Sequence, residues 1–283
     1  MGALRLLVSD LDNTLLTRSH ELPRRVIDAV EAAQKAGVLV VLATARSPVG
    51  ARRAAEALGV PDLVICFNGG WIGNVTTGTA LHKQPLNVPV ALDVMAAARA
   101  ANVNPMWYAA DGVRVFDRNS SVEREAWITG DRLVEIDSMA ELTQPPGKIM
   151  CVRDDADEPH GFNLIRKQYG AVLTVATSHS RLLEVGPPGV SKRTAAEWVA
   201  ARLGVAQEDC AAAGDAANDM ELLRWAAVAV AVENAVPEVK RLAGFVGPSC
   251  DEGGMADAVS WLLNVQPPEP GALSAEEQGG GDD

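Results

Sequence analysis

Hydrophobic residues in the first 70 positions of the chain form short continuous runs that alternate with amphipathic stretches. The runs at residues 4–9, 38–43 and 62–67 predict strands that are buried on both faces. The stretches at residues 23–37 and 48–58 carry apolar residues at helical spacing, and each begins with a proline. Strands that alternate with helices in this way indicate a parallel sheet covered by helices on both faces.

The same alternation returns in the last third of the chain. Apolar runs there predict strands at residues 210–213, 228–232 and 245–246. Amphipathic stretches predict helices at residues 191–203, 218–226, 237–242 and 255–263. Because this rhythm matches that of the first 70 residues, we expect both parts of the chain to contribute to one sheet.

A different pattern occupies the middle of the chain, between residues 83 and 188. Short alternating strands are predicted at residues 106–109, 113–116, 148–152, 172–176 and 181–185. Helices are predicted at residues 90–101 and 161–168. Such a mixture is typical of an antiparallel sheet with helices on one face, so we interpret this segment as an inserted α+β domain.

These patterns divide the chain into a core, an insert and a tail. The core comprises residues 1–82 and 189–265, and the insert comprises residues 83–188. Residues 266–283 are rich in Pro, Gly and Glu and cannot form a packed core, so we expect a disordered tail.

Two carboxylates, Asp10 and Asp12, directly follow the first predicted strand, and Thr14 follows them. Where a strand ends and the chain turns, both carboxylates can point into one small volume. They would repel each other and any anion, so the arrangement favours a bound cation. Mg²⁺ commonly binds one or two carboxylates together with phosphate oxygens. The alternative is an acidic turn, since Asp and Asn are common turn residues.

Three further segments place polar residues at a strand end or a helix start. One strand is followed by Thr44 and Arg46, and Lys192 follows a Pro/Gly turn ahead of a helix. The strand at residues 210–213 runs into Gly214, Asp215, Asn218 and Asp219. A helix cap or a solvated side chain would explain each segment taken alone. Because the carboxyl ends of parallel strands meet at one edge of a sheet, the set together predicts a ligand site there.

These segments resemble motifs one to four of the haloacid dehalogenase-like hydrolase superfamily. The matching stretches are Asp10-x-Asp12-x-Thr14, the hydrophobic run that ends in Thr44, the lone Lys192, and Gly214-Asp215-x-x-Asn218-Asp219. The large insert, with Asn68-Gly69-Gly70 before it and Asp-Glu-Gly-Gly at residues 251–254, is similar to the Cof-type sugar-phosphatase subfamily. The resemblance extends over residues 4–263.

The resemblance implies an α/β fold with a Rossmann-like parallel-sheet core and an inserted α+β cap domain. Two positions depart from the family pattern. Asn13 stands where glycine is usual, and Arg193 stands where a small residue usually follows the lysine. Neither departure changes a carboxylate or the lysine, so both bear on substrate preference rather than on the chemistry.

The resemblance also implies a role for each acidic residue. Asp10 would be the nucleophile that forms an aspartyl-phosphate. Asp12 would protonate the leaving oxygen and then activate water. Mg²⁺ would lie between Asp10, the carbonyl oxygen of Asp12 and Asp215, with Asp219 as a supporting or direct ligand.

The remaining matched residues would bind the phosphoryl group or the rest of the substrate. Thr44 and the backbone amides after Asp12 would contact phosphoryl oxygens, and Lys192 would neutralise charge on the nucleophile and the phosphate. Asn218, Asn68 and Arg46 are further candidates for substrate contact. A helix cap, a plain turn and a surface arginine are the respective alternatives for these three residues.

Composition and charge narrow the range of partners. The formal net charge of −12 leaves no basic stripe for a nucleic acid, and no apolar run reaches the ~18 residues of a membrane span. The four cysteines lie far apart without a C-x-x-C pair, so we expect reduced thiols and a cytoplasmic protein. We expect a monomer or homodimer that binds a small phosphorylated metabolite.

Three classes of function remain open from the sequence. The first is a Mg²⁺-dependent phosphatase of small phosphorylated metabolites, such as sugar phosphates and phosphoglycolate-like phosphoesters. The second is a phosphotransferase or phosphosugar mutase that uses the same aspartyl-phosphate. The third is a non-catalytic binding protein on the same fold, since a fold does not fix a function. The intact set of acidic residues argues against the third class.

Overall fold

A computed structural model describes residues 4–109, 112–153 and 160–264 of the chain. The strands of these residues are β1 (Leu6–Ser9), β2 (Leu39–Ala43), β3 (Val64–Cys66), β4 (Trp71–Asn74), β5 (Thr79–Lys83), β6 (Asn104–Ala109), β7 (Gly112–Val115), β8 (Leu133–Glu135), β9 (Lys148–Val152), β10 (Thr174–His179), β11 (Leu182–Gly186), β12 (Cys210–Ala213), β13 (Val228–Val232) and β14 (Phe245–Gly247). The α-helices are α1 (Arg24–Lys35), α2 (Pro48–Ala57), α3 (Val88–Ala100), α4 (Ser120–Thr129), α5 (His160–Tyr169), α6 (Lys192–Leu203), α7 (Met220–Trp225), α8 (Pro237–Leu242) and α9 (Met255–Asn264).

The larger sheet contains the strands from both ends of the chain, in the order β14-β13-β12-β1-β2-β3-β4-β5. The six strands from β14 to β3 run parallel to one another. In the centre, Leu6 of β1 lies between Cys210 of β12 and Leu39 of β2. The α/β fold class predicted from the sequence, with a parallel-sheet core, is therefore confirmed.

An antiparallel hairpin that was not predicted extends one edge of this sheet. Strand β4 pairs antiparallel with β3, and β5 pairs antiparallel with β4. The side chains of β5 are half-buried or exposed, so the strand lacks the apolar run that identified the central strands. An edge strand packs less of its surface than a central one, and its hydrophobic signal is correspondingly weak.

Helices cover both faces of the larger sheet, and β1 divides its side chains between the two layers. Leu7 belongs to the apolar cluster formed with α1, α2 and α9. Leu6 and Val8 point to the opposite face, where they pack with residues of α6, α7 and α8. All three side chains are essentially inaccessible to solvent, and full burial of each stabilises the fold by about 1.5–3 kcal/mol.

The smaller sheet is built from the middle of the chain, in the order β10-β11-β9-β6-β7-β8. One of its faces packs against α3 and α5, and Trp107 lies in that apolar layer. The opposite face contains Tyr108 and Met150, which belong to the same apolar cluster as Phe67 of the larger sheet's loop. The smaller sheet therefore rests directly on the end of the larger sheet that carries the predicted site.

Within the insert, helix α4 and strand β8 were not predicted. The helix begins after Asn119, whose side chain accepts a hydrogen bond from the backbone N–H of Val122 (3.0 Å), and it ends at Gly130 with φ 71°. Both cap residues are ordinary helix signals. The hydrophobic periodicity of the helix is weak, because Val122 and Ala126 are the apolar residues that it buries.

Other expectations can be compared with the structure more briefly. Strand β10 begins two residues later and ends three residues later than the predicted strand at 172–176. All four cysteines are free and buried. No helix in the described ranges is long and apolar enough to cross a membrane. The tail predicted at residues 266–283 lies outside the described residues.

Candidate active site

Three adjacent parallel strands bring the predicted acidic residues to one edge of the larger sheet. Asp10 and Asp12 follow β1, Thr44 follows β2, and Asp215 follows β12. The backbone N–H of Asp10 donates to the carbonyl oxygen of Ala213 (2.9 Å), which extends the pairing of β1 with β12 to the start of the site. The sheet register therefore places these three loops side by side, as expected for an open parallel sheet.

Lys192 is buried between two of the carboxylates. Its Nζ lies 2.5 Å from Oδ1 of Asp10 and 2.6 Å from Oδ1 of Asp219, and only 1 % of its side chain is exposed. Burial alone would lower the pKa of Lys192, but the carboxylates of Asp10 and Asp219 raise it above its ordinary value. The lysine is therefore a fixed positive charge in the site.

The start of helix α6 positions this lysine. The Ser191 side chain accepts a hydrogen bond from the N–H of Thr194 (3.2 Å), and the Thr194 hydroxyl accepts one from the N–H of Ser191 (3.1 Å). This reciprocal cap fixes the first turn of the helix. Gly69 packs against the same turn, because a Cβ there would lie 2.7 Å from the carbonyl oxygen of Ser191. The loop after β3 and the lysine are thus held together.

Asp219 is fully buried, and both of its carboxylate oxygens have partners. While Oδ1 accepts from Lys192, Oδ2 accepts from the backbone N–H groups of Asp215 (3.1 Å) and Ala216 (3.0 Å). Gly214 permits this turn, because a Cβ at that position would come within 2.5 Å of the Asp219 carboxyl group. Asp219 therefore organises the loop that carries Asp215 as well as holding the lysine.

The carboxylates of Asp10, Asp215 and Asp219 each offer an oxygen within 4.8 Å of the other two. Burial, opposed by Lys192, raises the pKa of Asp10, and repulsion from Asp219 and Asp215 adds to this effect. Burial and the nearby Asp219 likewise raise the pKa of Asp215 to about 7. A donor set of buried carboxylate oxygens with mutual repulsion fits a hard divalent cation.

The carboxylate of Asp12 is held by Arg46. The Arg46 Nε and Nη2 donate to the two Asp12 oxygens, at 2.8 and 2.5 Å, and the Nδ1 of His20 lies 3.3 Å from Oδ1. Burial alone would raise the pKa of Asp12, but the hydrogen bonds from His20 and Arg46 bring it well below its ordinary value. Asp12 is therefore ionised in this arrangement.

Arg46 is therefore not an exposed surface arginine, which was the alternative interpretation that the sequence left open. Only 8 % of the residue is exposed, and its Nη1 donates to the carbonyl oxygen of Gly50 (3.2 Å). The hydroxyl of Thr44, which is fully buried, accepts from the backbone N–H of Arg46 (3.1 Å). The contact of His20 with Asp12 was not predicted, since His20 lies in a turn with no pattern that marks it.

The two predicted asparagines contact each other. The Nδ2 of Asn218 donates to Oδ1 of Asn68 (3.3 Å), and the Nδ2 of Asn68 donates to Oε2 of Glu184 (3.1 Å). Asn68 has φ 53°, in the left-handed region that asparagine tolerates better than most residues. These contacts link the loop after β12 to the smaller sheet through the loop after β3.

Sequence reasoning missed two residues of the smaller sheet that reach this region. The Nζ of Lys148 donates to the carbonyl oxygen of Ala45 (2.8 Å) and to Oε2 of Glu184 (3.0 Å). Lys148 and Glu184 are almost completely buried. Each is a charged residue in an otherwise apolar strand, and that signal could have identified them, because buried charges are rare unless they are paired.

The chain is similar to known phosphatases and hydrolases over most of its length. A phosphoglycolate phosphatase of Archaeoglobus fulgidus is 28% identical over 89% of this chain and 94% of its own length. Phosphatase YwpJ of Bacillus subtilis is 26% identical over 92% of this chain and its entire length. The crystal structure of a haloacid dehalogenase-like hydrolase from Bacteroides thetaiotaomicron has a TM-score of 0.82 at 24% identity, covering 91% of this chain and 99% of that one, and shows the shared fold.

The family itself follows from a match over most of the chain. The model of the haloacid dehalogenase-like hydrolases matches residues 7–259, which include Asp10, Asp12, Lys192, Asp215 and Asp219. The resemblance drawn from the four motifs, including its Cof-type branch, is confirmed. The chain belongs to the family of haloacid dehalogenase-like hydrolases.

Proposed function

We propose that this protein is a Mg²⁺-dependent phosphatase of small phosphorylated metabolites that acts through an aspartyl-phosphate on Asp10. One observation carries the proposal: a buried, charged Lys192 joins the carboxylates of Asp10 and Asp219 beside a third carboxylate, Asp215, and Asp12 lies near enough to repel Asp10. Relatives named as phosphatases support hydrolysis of phosphoric monoesters. A covalent intermediate on a carboxylate is one way in which enzymes accelerate this very slow reaction.

In the first step, an oxygen of the Asp10 carboxylate attacks phosphorus and the bond from phosphorus to the leaving oxygen breaks. Asp12, which takes up a proton from solvent once the substrate phosphate draws Arg46 away from it, gives that proton to the leaving oxygen, so that a neutral alcohol departs. In the second step, Asp12 takes a proton from water, which attacks phosphorus and releases inorganic phosphate with a free Asp10 carboxylate. The net reaction is hydrolysis of the phosphoester, and the protein returns to its starting state.

The charges around Asp10 and Asp12 suit the roles of these residues in the two successive steps. Lys192 opposes the desolvation that raises the pKa of Asp10 and so favours the ionised, nucleophilic carboxylate, to which a bound divalent cation would add. Asp12 is ionised while Arg46 and His20 hold it, which suits the base of the second step. An arriving phosphoryl group attracts the Arg46 guanidinium, and this weakens its hold on Asp12 and raises the proton affinity needed for the first step.

The residues that would hold Mg²⁺ are Asp10, the carbonyl oxygen of Asp12, and Asp215, with Asp219 in support through Lys192 and the loop amides. When bound, Mg²⁺ would supply positive charge that offsets the repulsion between the carboxylates and the phosphate dianion. Thr44 would donate its hydroxyl to a phosphoryl oxygen. Like-charged groups about 4 Å apart repel by about 4 kcal/mol at an effective dielectric of 20, so this compensation is substantial.

We further propose the division of the chain into a core of residues 1–82 and 189–265 and a cap of residues 83–188. The contacts of Lys148 with Ala45 and of Glu184 with Asn68 cross the boundary between them. The cap thus covers the edge of the sheet where Asp10 and Asp12 lie. A covered site suits a small soluble phosphoester.

The test is a panel of phosphorylated metabolites assayed for phosphate release with Mg²⁺ and with excess EDTA. Two results together would support the proposal. Phosphate release should depend on Mg²⁺, and mass spectrometry after a rapid acid quench should find a phosphoryl group on the peptide that contains Asp10. A phosphoryl group that passes to a second sugar phosphate rather than to water would favour a mutase. Turnover at the full rate in EDTA would reject the metal-dependent mechanism.

A further inference from the structure

His20 contacts the carboxylate of Asp12, although it belongs to none of the four motifs. Its Nδ1 lies 3.3 Å from Oδ1 of Asp12, and 29 % of its side chain is exposed. The Nη2 of Arg46 lies 3.4 Å from the same ring nitrogen. An imidazole, a carboxylate and a guanidinium therefore meet at one point of the site.

The chemistry of the two neighbours decides which contact of the imidazole is the hydrogen bond. An ionised carboxylate only accepts and a guanidinium only donates, so Nδ1 of His20 can bond one of them but not both. The shorter contact is with Asp12, and the Nη2 of Arg46 already donates to Oδ1 of Asp12 at 2.5 Å. We therefore assign a proton to Nδ1, which donates to Oδ1.

The two oxygens of the Asp12 carboxylate differ in their partners. Oδ1 accepts from both His20 and the Nη2 of Arg46, whereas Oδ2 accepts from the Nε of Arg46 (2.8 Å). Burial raises the pKa of Asp12, and the hydrogen bonds from His20 and Arg46 lower it below its ordinary value. When Arg46 moves toward a phosphoryl group, Oδ2 loses this partner while Oδ1 keeps His20.

The turn that carries His20 is fixed by its own hydrogen bonds. The backbone N–H of His20 donates to the carbonyl oxygen of Thr17 (2.9 Å), and the N–H of Thr17 donates to the carbonyl oxygen of Glu21 (2.9 Å). The buried hydroxyl of Thr17 accepts from the N–H of Glu21 (3.0 Å). His20 has φ 61°, in the left-handed region where histidine is enriched. The position of the imidazole therefore does not depend on Arg46.

A further contact fastens this turn to the Asp-Glu-Gly-Gly segment at residues 251–254. The carboxylate of Asp251 accepts from the backbone N–H of Arg18 (2.9 Å) and from the Nη1 of the same residue. A hydrogen bond from a backbone N–H to a carboxylate is stronger than one between neutral groups. The segment that marked the resemblance thus helps to hold the turn that presents His20 to Asp12.

We propose that His20 is a positioning residue for Asp12, because it holds Oδ1 so that Oδ2 is the oxygen that gives and takes the proton. This inference rests on the proposed phosphatase function. In the first step, Oδ2 passes its proton to the leaving oxygen, which keeps the electron pair of its broken bond to phosphorus. In the second step, Oδ2 takes a proton from the water whose oxygen bonds to phosphorus, and the Asp10 oxygen leaves with the electron pair of the bond that breaks.

The geometry gives a reason for this division between the oxygens. A proton on Oδ1 would compete with the hydrogen bond from His20, so a proton on Oδ2 is favoured. Without His20, the carboxyl group of Asp12 could rotate about its bond to Cβ once Arg46 has moved. Misplacement of a reacting group by about 1 Å can slow a reaction about 10²-fold.

The competing explanation is that His20 only shapes the turn. Its left-handed backbone and its hydrogen bond to Thr17 would then be its whole role, and the contact with Asp12 would have no consequence for the reaction. That explanation predicts that glycine or asparagine, which both adopt a positive φ readily, can replace histidine without loss of activity.

Two substitutions that preserve the backbone separate these explanations. His20→Gly removes the ring and accommodates the positive φ. His20→Asn accommodates it as well and restores a donor, since the Nδ2 of asparagine and the Nδ1 of histidine are both bonded to Cγ. Asn102→Gly is the matched control, because Asn102 is an exposed residue with φ 54° in the turn before β6. Thermal melting verifies that each variant is folded.

The leaving group reveals whether the proton is delivered. The kcat/KM reports the steps up to departure of the leaving group, and it is measured with Mg²⁺ for two kinds of substrate. Alkyl phosphates of the metabolite panel, such as glycerol 3-phosphate, need a proton on the leaving oxygen, whereas the leaving group of p-nitrophenyl phosphate departs as an anion. We expect His20→Gly to lower kcat/KM for alkyl phosphates about ten- to hundredfold, and for p-nitrophenyl phosphate by less than about threefold.

Two further results should accompany this difference. His20→Asn should recover most of the lost kcat/KM for alkyl phosphates, and Asn102→Gly should match the wild type. The Kd of glycerol 3-phosphate, measured by calorimetry with Asp10→Asn, should not change when His20→Gly is added, because His20 acts on the proton donor rather than on binding.

An NMR measurement tests the hydrogen bond without turnover. Long-range ¹⁵N–¹H correlation spectra of the full chain show which ring nitrogens carry protons, and the signals of His20 are those that disappear in His20→Asn. We expect a proton on Nδ1 of His20. An unprotonated Nδ1, which would accept from Arg46 instead, would overturn the inference.

The outcomes keep this inference separate from the proposed function. Unchanged kcat/KM for alkyl phosphates in a folded His20→Gly, or equal losses for both kinds of substrate, would overturn the role of His20 and leave the phosphatase in place. A folded His20→Asn as slow as His20→Gly would do the same, since the restored donor would then have no effect. A wild type that releases phosphate from no phosphoester would overturn both proposals.

Discussion

The ammonium of Lys192 lies 2.5 Å from the Asp10 carboxylate, although the two residues are 182 positions apart in the sequence. The contact joins the first strand of the chain to a helix that begins after the whole insert. Both side chains are almost fully buried, so this ion pair is shielded from solvent. Breaking a buried pair by removing one partner typically costs about 3–5 kcal/mol.

Lys192→Met should therefore reduce both activity and stability. We expect kcat/KM to fall heavily, because Asp10 loses the charge that opposes its protonation and the phosphate loses a cation. The melting temperature should also fall, and Mg²⁺ should restore part of it by taking over the neutralisation of Asp10 and Asp219. Calorimetry with and without Mg²⁺ measures both effects.

A matched control is Lys240→Met, which breaks a partly exposed pair with Glu233. Exposed ion pairs contribute about 0–1 kcal/mol, so this variant should melt close to the wild type. Equal melting temperatures for Lys192→Met and Lys240→Met, or unaltered kinetics in Lys192→Met, would contradict the role given to Lys192.

Asp10→Asn should abolish turnover and leave the protein folded. The amide cannot attack phosphorus, and it relieves repulsion from Asp215 and Asp219 while it weakens the contact with Lys192. Since these two effects oppose each other, the melting temperature should change little. Phosphate release and thermal melting test the prediction, and near wild-type activity would exclude Asp10 as the nucleophile.

Asp12→Asn should lower the rate by about 10²–10⁴, the usual range for loss of a general acid and base. The loss should be greatest for an alkyl phosphate, whose leaving oxygen needs a proton. It should be smaller in the first step with p-nitrophenyl phosphate, whose leaving group departs as an anion. Burst kinetics separate the two steps, and equal losses in the first step for both substrates would argue against Asp12 as the acid.

The metal-free protein should lose stability as the pH rises. Burial and Asp219 raise the pKa of Asp215 from 3.8 in the unfolded chain to about 7 in the fold. The folded state therefore keeps a proton that the unfolded chain releases above pH 4. This contribution to stability is fully present below pH 4 and is lost as the pH rises through about 7.

Melting temperatures of EDTA-treated protein from pH 4 to pH 8 measure this effect. Asp215→Asn should flatten the pH dependence, because the amide does not titrate. Mg²⁺ should also flatten it, since a bound cation favours the ionised carboxylate. A metal-free wild type with the same pH dependence as Asp215→Asn would show that Asp215 is not the titrating group.

The sequence predicted the centre of the larger sheet and the residues at its edge for one physical reason. Strands buried on both faces are continuous apolar runs, and a polar residue that ends such a run is conspicuous. Asp10, Thr44 and Asp215 all stand in that position, and the parallel register then brings them together. Their approach to Lys192 could be expected from the resemblance but not from spacing.

The parts that could not be predicted depend on contacts between distant segments. Nothing near Arg46 in the sequence indicates that its guanidinium turns to Asp12, and nothing near His20 indicates that it joins them. Lys148 and Glu184 are visible only as charges inside apolar strands, and their partners lie in other loops. Sequence patterns identify which residues are unusual, whereas the fold decides what they contact.

The last prediction is that the cap of residues 83–188 opens and closes over the site during turnover. Substrate must reach Asp10 and Asp12, yet the smaller sheet rests on the core through the buried contacts of Lys148 and Glu184. Ser47 of the core donates a hydrogen bond to Asp131 of the cap (2.5 Å), so these two side chains meet across the boundary. Cysteines at both positions, joined by a short cleavable thiol crosslinker, should hold the cap closed.

The crosslinked Ser47→Cys, Asp131→Cys protein should lose most of its turnover, and reduction with dithiothreitol should restore it. Lids of this kind open on microsecond-to-millisecond timescales and admit substrate only when they are open. The four native cysteines are buried and should not react with the crosslinker. The control is each single variant, Ser47→Cys or Asp131→Cys, treated with the same crosslinker. If the cap only mediates association between copies and leaves the site accessible, the crosslinked protein keeps its activity. Full turnover in the crosslinked protein, or efficient dephosphorylation of a folded phosphoprotein by the wild type, would reject a closing cap.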